Sequence, residues 1–149
     1  YSFRRPSRSS RACGVYLPSL SVRSLVGTVM ISIDTSGSMS DADVARGVGG
    51  IVAEARRARM ARLVVVQQDD EVAVVYDGLP AGYRHKSMRR GGGTDFRPLM
   101  FLARKIKPRL LAAITDLDGP HGEAPGCRVV WITNTAGYRQ PPYGQVCRF

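Results

Sequence analysis

The stretch Met30-Ile31-Ser32-Ile33-Asp34-Thr35-Ser36-Gly37-Ser38-Met39 decides the fold of this chain. An apolar run ends at Asp34, and two hydroxyl side chains, Ser36 and Ser38, follow it. The run predicts a buried strand, and the polar residues place hard oxygen donors at its carboxyl end. One carboxylate with two hydroxyls suits Mg²⁺ or Mn²⁺ rather than zinc, which prefers nitrogen and sulfur ligands.

Two segments further along the chain supply the additional oxygen atoms that Mg²⁺ needs. One candidate is the loop Gly91-Gly92-Gly93-Thr94-Asp95, which carries the Thr94 hydroxyl and whose glycines permit close approach of the backbone. A second apolar run, residues 110–115, predicts another buried strand and ends at Asp116. Because ligands of open α/β sheets bind at the carboxyl ends of strands, Asp34 and Asp116 are expected at a common site.

These pieces together resemble the metal-ion-dependent adhesion site of the von Willebrand factor A (VWA) domain. That site consists of an Asp-x-Ser-x-Ser motif, a distant Thr and a distant Asp. All positions are present in the family's order, as Asp34, Ser36, Ser38, Thr94 and Asp116. The resemblance implies that the two serines and Thr94 ligate the ion directly, and that Asp34 and Asp116 act directly or through water.

Two further carboxylates, Asp95 and Asp118, are possible outer-sphere groups. Asp116-Leu117-Asp118-Gly119 also resembles the nucleophile motif of haloacid-dehalogenase-type phosphatases, with Asp118 as the acid/base. That family needs a Ser/Thr, a Lys and an acidic pair further on. The 31 residues after Asp118 contain no Lys, no Asp and a single Glu, which argues against the phosphatase interpretation.

Within the VWA family, the chain is most similar to bacterial VWA-like domains that lie at the C-terminus of metallopeptidase-like proteins. The features that carry this likeness are residues 33–38, residues 91–98, Val130-Trp131-Ile132 and Pro142-Tyr143-Gly144-Gln145-Val146. The resemblance covers residues 25–149. It implies a Mg²⁺- or Mn²⁺-dependent binding module that engages a protein partner through an acidic side chain, which completes the coordination of the ion.

The alternative is a regulatory or substrate-binding C-terminal domain of a metallopeptidase whose catalytic domain lies upstream. The chain begins at Tyr1, so we expect a fragment of a longer protein. The sequence contains no His-Glu-x-x-His zinc motif and no evident nucleophile–base pair, which argues against catalysis by this chain alone. His85 and His121 each stand alone in polar loops, so we predict surface residues rather than ligands.

Strands alternate with predicted helices, which indicates the α/β class. We predict a doubly wound, mostly parallel sheet with one antiparallel edge strand and helices on both faces. A helix capped by Ser40 is expected to run to about Met60, and a second helix follows Asp95. The predicted strands are residues 25–33, 63–68, 72–76, 110–115, 128–133 and 145–149.

The chain carries 22 Lys and Arg against 12 Asp and Glu, a net charge of +10. Residues 1–24 are rich in Arg, Ser and Pro and predict a basic linker or arm, followed by the VWA-like domain over residues 25–149. Such an arm permits binding to nucleic acid or another polyanion. We do not favour that function, because no aromatic-rich RNA motif, zinc finger or helix-turn-helix pattern accompanies it.

The three cysteines are Cys13, Cys127 and Cys147. An odd number without close spacing argues against a disulfide framework and against a zinc site, although a Cys127–Cys147 pair is an alternative. Reduced thiols favour a reducing compartment, so we predict a cytoplasmic location. No apolar run is long enough to span a membrane, and we predict no membrane partner.

Overall fold

The structure is a computed structural model that describes residues 2–6, 18–19, 27–35, 39–88 and 91–148. Two short strands, β1 (Ser2–Pro6) and β2 (Pro18–Ser19), pair with each other in antiparallel fashion. They are the part of the predicted basic arm, residues 1–24, that falls within the described residues. The assignment of this region as a linker stays a prediction.

The main sheet contains six strands among the described residues. They are β3 (Thr28–Asp34), β4 (Arg62–Gln68), β5 (Val72–Gly78), β6 (Leu110–Ile114), β7 (Arg128–Thr133) and β8 (Gln145–Arg148). Their spatial order is β5-β4-β3-β6-β7-β8, in which β5 is antiparallel to β4 and all other pairs are parallel. This confirms the mostly parallel sheet with one antiparallel edge strand.

Two helices cover opposite faces of the sheet, as predicted. Helix α1 (Asp41–Arg57) packs on the face formed by alternate residues of the central strands, such as Ile31, Ile33 and Val65. Helix α2 (Arg97–Ile106) packs on the other face, with Met30, Val64 and other residues of opposite parity. The central strands are therefore buried on both faces, which explains why they read as continuous apolar runs.

The start of α1 follows the predicted capping pattern. The Ser40 hydroxyl accepts a hydrogen bond from the Asp43 N–H at 3.1 Å and donates one to the Asp43 carboxylate at 2.8 Å. The helix ends at Arg57, three residues before the predicted end, because Arg59 adopts a left-handed conformation with a φ of 51°. The Met60 side chain is buried in the core beyond this turn.

Several predicted boundaries shift by one or two residues. The strand predicted at residues 72–76 continues to Gly78, and its register with β4 is irregular between Val65 and Val66. The start predicted at Leu25 and the end predicted at Phe149 lie outside the described residues. Cys127 and Cys147 are free thiols, so the alternative disulfide between them is absent.

A search of the described helices finds none that is both long enough and apolar enough to cross a membrane.

Candidate metal site

The two acidic residues of the predicted site lie at the carboxyl edge of the sheet. Asp34 is the last residue of β3, and Asp116 lies two residues after the end of β6. These strands are parallel neighbours, with Ile33 opposite Ile114. Their carboxyl ends therefore meet at one place, as the sequence predicts, and this place lies at the middle of the sheet.

Asp34 is the centre of a hydrogen-bonded group of side chains from three segments. It is 8% exposed. The Thr94 hydroxyl lies 3.3 Å and 3.4 Å from its two carboxylate oxygens, although the two residues are 60 positions apart in the sequence. The Thr115 hydroxyl donates a shorter bond of 2.6 Å to Oδ2. The carboxylate is thus held in a fixed orientation at the strand end.

Thr115 is a residue of this site that the sequence analysis treated only as the end of a strand. Its side chain is 1% exposed, and its hydroxyl oxygen also accepts a hydrogen bond from the Leu117 N–H at 3.0 Å. Leu117 has a φ of 69°, so the chain turns sharply directly after Asp116. The sequence signal for this role of Thr115 is its hydroxyl at the end of an apolar run, directly before Asp116.

Asp116 is half-buried, and its Oδ1 accepts a hydrogen bond from the Asp118 N–H at 3.1 Å. This is the geometry of an Asx turn, in which a side chain replaces a backbone acceptor. The Asp118 side chain is exposed. The local structure therefore positions the Asp116 carboxylate through its own turn, and Asp118 provides the backbone group that holds it.

Ser36 and Ser38 lie outside the described residues, but Thr35, directly before them, is held by hydrogen bonds. The N–H and the hydroxyl of Thr35 both donate to the carbonyl of Gln68, at 2.9 Å and 3.1 Å. The Thr35 carbonyl accepts from the Gly91 N–H at 3.1 Å. The first motif is thereby connected to the end of β4 and to the glycine-rich loop.

A buried glutamine under this edge was not predicted from the sequence. Gln68 is fully buried, and it accepts a hydrogen bond from the Ser32 hydroxyl at 2.8 Å. Its amide donates to the Asp95 carbonyl at 2.9 Å, and the Asp95 N–H donates to the carbonyl of Asp69 at 3.2 Å. Gln68, the last residue of β4, therefore holds in place the loop that carries Thr94.

Comparison with known proteins identifies the family. The model of the VWA-like domain family (DUF2201) matches residues 29–149, which is most of the chain. The chain belongs to this VWA-like domain family.

A solved structure described as the ArnB paralog VWA2 from Sulfolobus acidocaldarius is also similar to the chain. The two share 12% sequence identity with a TM-score of 0.47. The match covers 71% of this chain and 34% of the other, so this VWA-like domain spans about a third of that protein. Among curated proteins, none matches the chain.

The donor chemistry of the VWA-like domain fits a hard divalent cation. Asp34, Thr94 and Asp116 offer carboxylate and hydroxyl oxygens at one edge, and oxygen is the ligand that Mg²⁺ and Mn²⁺ prefer. A cavity of about 20 Å³ adjoins Asp34, with Thr35 and Asp41 among its described lining residues. That volume is close to the space that one water molecule needs.

In the part of the chain that the structure describes, no group of three or more His, Cys, Asp or Glu side chains is placed to hold a metal ion. The predicted donor set contains only two carboxylates, Asp34 and Asp116, and three hydroxyls. A group of three His, Cys, Asp or Glu side chains is therefore not what this site requires, because Ser and Thr hydroxyls are not among those four residue types. The metal site therefore stays a prediction.

The carboxylate of Asp95, a possible outer-sphere group, forms an ion pair with Arg97 in the VWA-like domain. Arg97 donates from Nε and Nη2 at 2.7–3.1 Å, and its backbone N–H donates to Oδ1 at 2.9 Å. The hydrogen bonds from Arg97 hold the pKa of Asp95 below its usual value. The predicted cap of α2 by Asp95 is wrong: the helix begins at Arg97, its N-cap is Phe96, and no side chain caps it, although Asp95 accepts from the Arg97 N–H just before the helix.

A group of aromatic rings supports the loop after Asp116. His121 stacks on Phe96 with ring centroids 4.9 Å apart and contacts Trp131 edge-on at 5.0 Å. The Tyr143 hydroxyl donates to the His121 carbonyl at 2.8 Å, and the Trp131 indole N–H donates to the Tyr143 carbonyl at 2.7 Å. His121 therefore lies in a loop, as predicted, but it is half-buried against these rings rather than fully exposed.

The surroundings of the His121 ring disfavour its protonation. Burial lowers its pKa, and the charge of Arg139 lowers it further, while a hydrogen bond from the ring to the Gly119 backbone opposes the shift. Among the described side chains, His121 Nε2 is a buried nitrogen without a hydrogen-bond partner. Protonation of this ring would place an uncompensated charge against Phe96 and Trp131.

Proposed function

We propose that this VWA-like domain binds Mg²⁺ or Mn²⁺ and uses the ion to hold an acidic side chain of a protein partner. The ligands are Asp34, Ser36, Ser38, Thr94 and Asp116. The observation that carries the proposal is the meeting of the Thr94 hydroxyl with the buried Asp34 carboxylate, 60 residues apart in sequence. Their proximity supports the donor set that the sequence motif predicts.

The chemistry follows from the types of ligand. Three of the five proposed donors are neutral hydroxyls, so the two carboxylates balance the divalent charge only if both bind directly. Where an Asp acts through water, the ion keeps a net positive charge at its open face and attracts an external carboxylate. Mg²⁺ retains water readily, which leaves exchangeable positions for such a ligand.

The residues of this chain prepare the site before any ion binds. Thr115 fixes the orientation of the Asp34 carboxylate. Gln68 holds the backbone at Asp95, next to Thr94. Positions that are already fixed lose little conformational entropy on binding, so the affinity for the ion benefits from these hydrogen bonds.

The proposal predicts that Mg²⁺ raises the melting temperature of the wild-type chain. Binding to the native state alone stabilises it by RT ln(1 + [L]/Kd), which is about 2.7 kcal/mol at 100 times Kd. For a domain of this size we expect a shift of about 5–10 °C. The measurement is a thermal melt in resin-treated buffer, with and without Mg²⁺ or Mn²⁺, on the wild type, Asp116→Asn and Glu71→Gln.

Asp116→Asn should lose the response to the ion. Glu71→Gln makes the same change of charge at an exposed turn and should keep it. Repeating the titration in acetate instead of chloride, at equal ionic strength, tests the partner: a carboxylate that completes the coordination should raise the apparent affinity for Mg²⁺. A melting temperature that is unchanged by either ion in both salts would refute the proposal.

The setting of the domain in a larger protein is a second part of the proposal. We propose the alternative role as a regulatory or substrate-binding C-terminal domain of a metallopeptidase on the likeness at residues 91–98, Val130-Trp131-Ile132 and residues 142–146. A His-Glu-x-x-His motif in a preceding segment of the protein would support it. A preceding segment without any zinc-binding motif would count against it.

A further inference from the structure

A cavity lined by basic side chains lies at the amino edge of the sheet, on the side opposite to Asp34. Its volume is about 550 Å³. Four of its lining residues are cationic, namely Arg104, Lys107, Arg109 and Arg128, and none of those described is acidic. We call this cavity the amino-edge cleft.

The fold brings the cations of residues 104–109 together with Arg128, which lies about twenty residues further along the chain. Arg104 and Lys107 lie in the last turn of α2 and directly after it. Arg109 precedes β6, and Arg128 is the first residue of β7. Because β6 and β7 are parallel neighbours, with Leu110 opposite Arg128, their amino ends meet at the end of α2.

The backbone that carries these side chains is held firmly. The Arg109 N–H donates to the Thr28 carbonyl at 2.8 Å, which ties it to the start of β3. The Lys107 N–H donates to the Ala103 carbonyl at 2.8 Å and closes the helix. Arg104 donates to the carbonyls of Glu123 and Ala124 at 3.1 Å and 3.3 Å, which fixes the loop on the other side of the cleft.

Ion pairs in the described part of the domain do not neutralise all four positive charges. Arg104 pairs with Glu123 at 3.2 Å. Lys107 and Arg109 have no carboxylate within ion-pair distance in the described part of the chain, and both side chains are exposed. The negative end of the α2 dipole favours cations near its last turn. This accounts for the positions of Arg104 and Lys107 but not for those of Arg109 and Arg128.

We propose that the amino-edge cleft binds a small molecule that carries two or more phosphate groups. Guanidinium groups form paired hydrogen bonds to phosphate oxygens, and a concave surface lined by one sign of charge concentrates the potential. The volume is in the range of small-molecule sites. Single-stranded nucleic acid is a weaker candidate, because none of the described residues that line the cleft is aromatic and could stack on bases.

The test is calorimetric titration of the chain with sodium tripolyphosphate at about 20 mM salt, where surface charges are weakly screened. The buffer is freed of metal by resin, because a chelator is itself a polyanion. We expect one molecule to bind per chain. Asp116→Asn should bind it equally well, which separates this result from the fate of the metal site.

The decisive variant is Lys107→Gln with Arg109→Gln, and its matched control is Arg84→Gln with Lys86→Gln. Both remove two positive charges from exposed positions, but Arg84 and Lys86 lie by β5, away from the amino-edge cleft. The cleft variant should lose at least about tenfold in affinity. Equal losses in the two variants would show general attraction to a basic protein and overturn the proposal.

Cys127 provides an independent readout, because its half-buried thiol lines the cleft. Burial raises the pKa of this thiol, so alkylation with iodoacetamide is run at pH about 8.5. Tripolyphosphate should slow the modification of Cys127 in the wild type and not in the cleft variant, as measured by peptide mass. Unprotected Cys127 at a saturating ligand concentration would contradict the proposal.

Two further ligands define the class of molecule. ATP that binds more tightly than tripolyphosphate would identify a nucleotide, and equal affinity would identify the phosphate chain as the recognised part. An oligothymidylate of about twelve nucleotides is the competitor. If it binds more tightly than both, and the cleft variant weakens it, the cleft serves nucleic acid and the proposal is wrong.

Discussion

The two ends of the main sheet differ in how their polar groups are built into the fold. At the carboxyl edge, Asp34, Thr115 and Gln68 are buried. The Thr115 hydroxyl donates to Asp34, and the Gln68 amide donates to the Asp95 carbonyl. At the amino edge, Lys107 and Arg109 are exposed, and only their backbones are held. The buried groups at the carboxyl edge therefore contribute to folding, whereas we expect that the exposed Lys107 and Arg109 side chains can be replaced at little cost to the fold.

Among the tests of this contrast, we expect the largest effect from Gln68→Ala. The substitution leaves the buried Ser32 hydroxyl and the half-buried Asp95 carbonyl without their partner. We expect a loss of about 1–3 kcal/mol in the free energy of unfolding, since buried polar groups without partners cost that much. The measurement is urea denaturation, with Gln140→Ala, the same deletion at an exposed position, as the control.

Gln140→Ala should change the unfolding free energy by no more than about 0.5 kcal/mol. If the two variants were equally stable, the hydrogen bonds of Gln68 would not support the carboxyl edge, and the contrast between the two ends would fail.

A smaller effect is expected from acid at the carboxyl edge. Burial lowers the pKa of His121, so the unfolded chain takes up a proton at a higher pH than the folded chain. The stability is therefore full above the unfolded pKa of about 6.5 and falls as the pH drops below it. Urea denaturation between pH 8 and pH 5, on the wild type and His121→Phe, measures the difference.

His121→Phe should show a shallower fall in stability, because phenylalanine can stack on Phe96 and take up no proton. Burial also lowers the pKa of His85, so some acid sensitivity should remain in the variant. Identical pH profiles for the two proteins would mean that protonation of His121 does not oppose folding.

The smallest expected effect is that of Lys107→Gln with Arg109→Gln on stability. Both side chains are exposed, so we expect a change within about 0.5 kcal/mol in the unfolding free energy and an unaltered response to Mg²⁺. The same melts and denaturation curves measure it. A loss as large as that of Gln68→Ala would show that the amino edge is also part of the folding unit.

The mostly parallel sheet and the positions of Asp34 and Asp116 near strand ends could be predicted from the sequence, because apolar runs that end in a polar residue mark buried parallel strands. The strand predicted at residues 128–133 accounts in the same way for the burial of Trp131. The proximity of Thr94 to Asp34 could be predicted only from the family resemblance, because a glycine-rich loop does not by itself indicate which residues it contacts.

Other features depend on tertiary contacts that leave no local pattern. Gln68 and Thr115 look like ordinary strand ends, and only the neighbouring strands make them buried. His121 lies in a polar loop, and its burial depends on Phe96 and Trp131 from other segments. The amino-edge cleft assembles cations from positions 104 to 128, which the sequence shows as separate residues.

The anchoring of Thr35 has a mechanical consequence. A partner held at the carboxyl edge would pull on the end of β3, the central strand, which is paired with β4 on one side and β6 on the other. The bonds of Thr35 to Gln68 and Gly91 spread this load to β4 and to the glycine-rich loop. To extract β3, a force along it must shear both hydrogen-bonded ladders together, which resists tension better than peeling an edge strand.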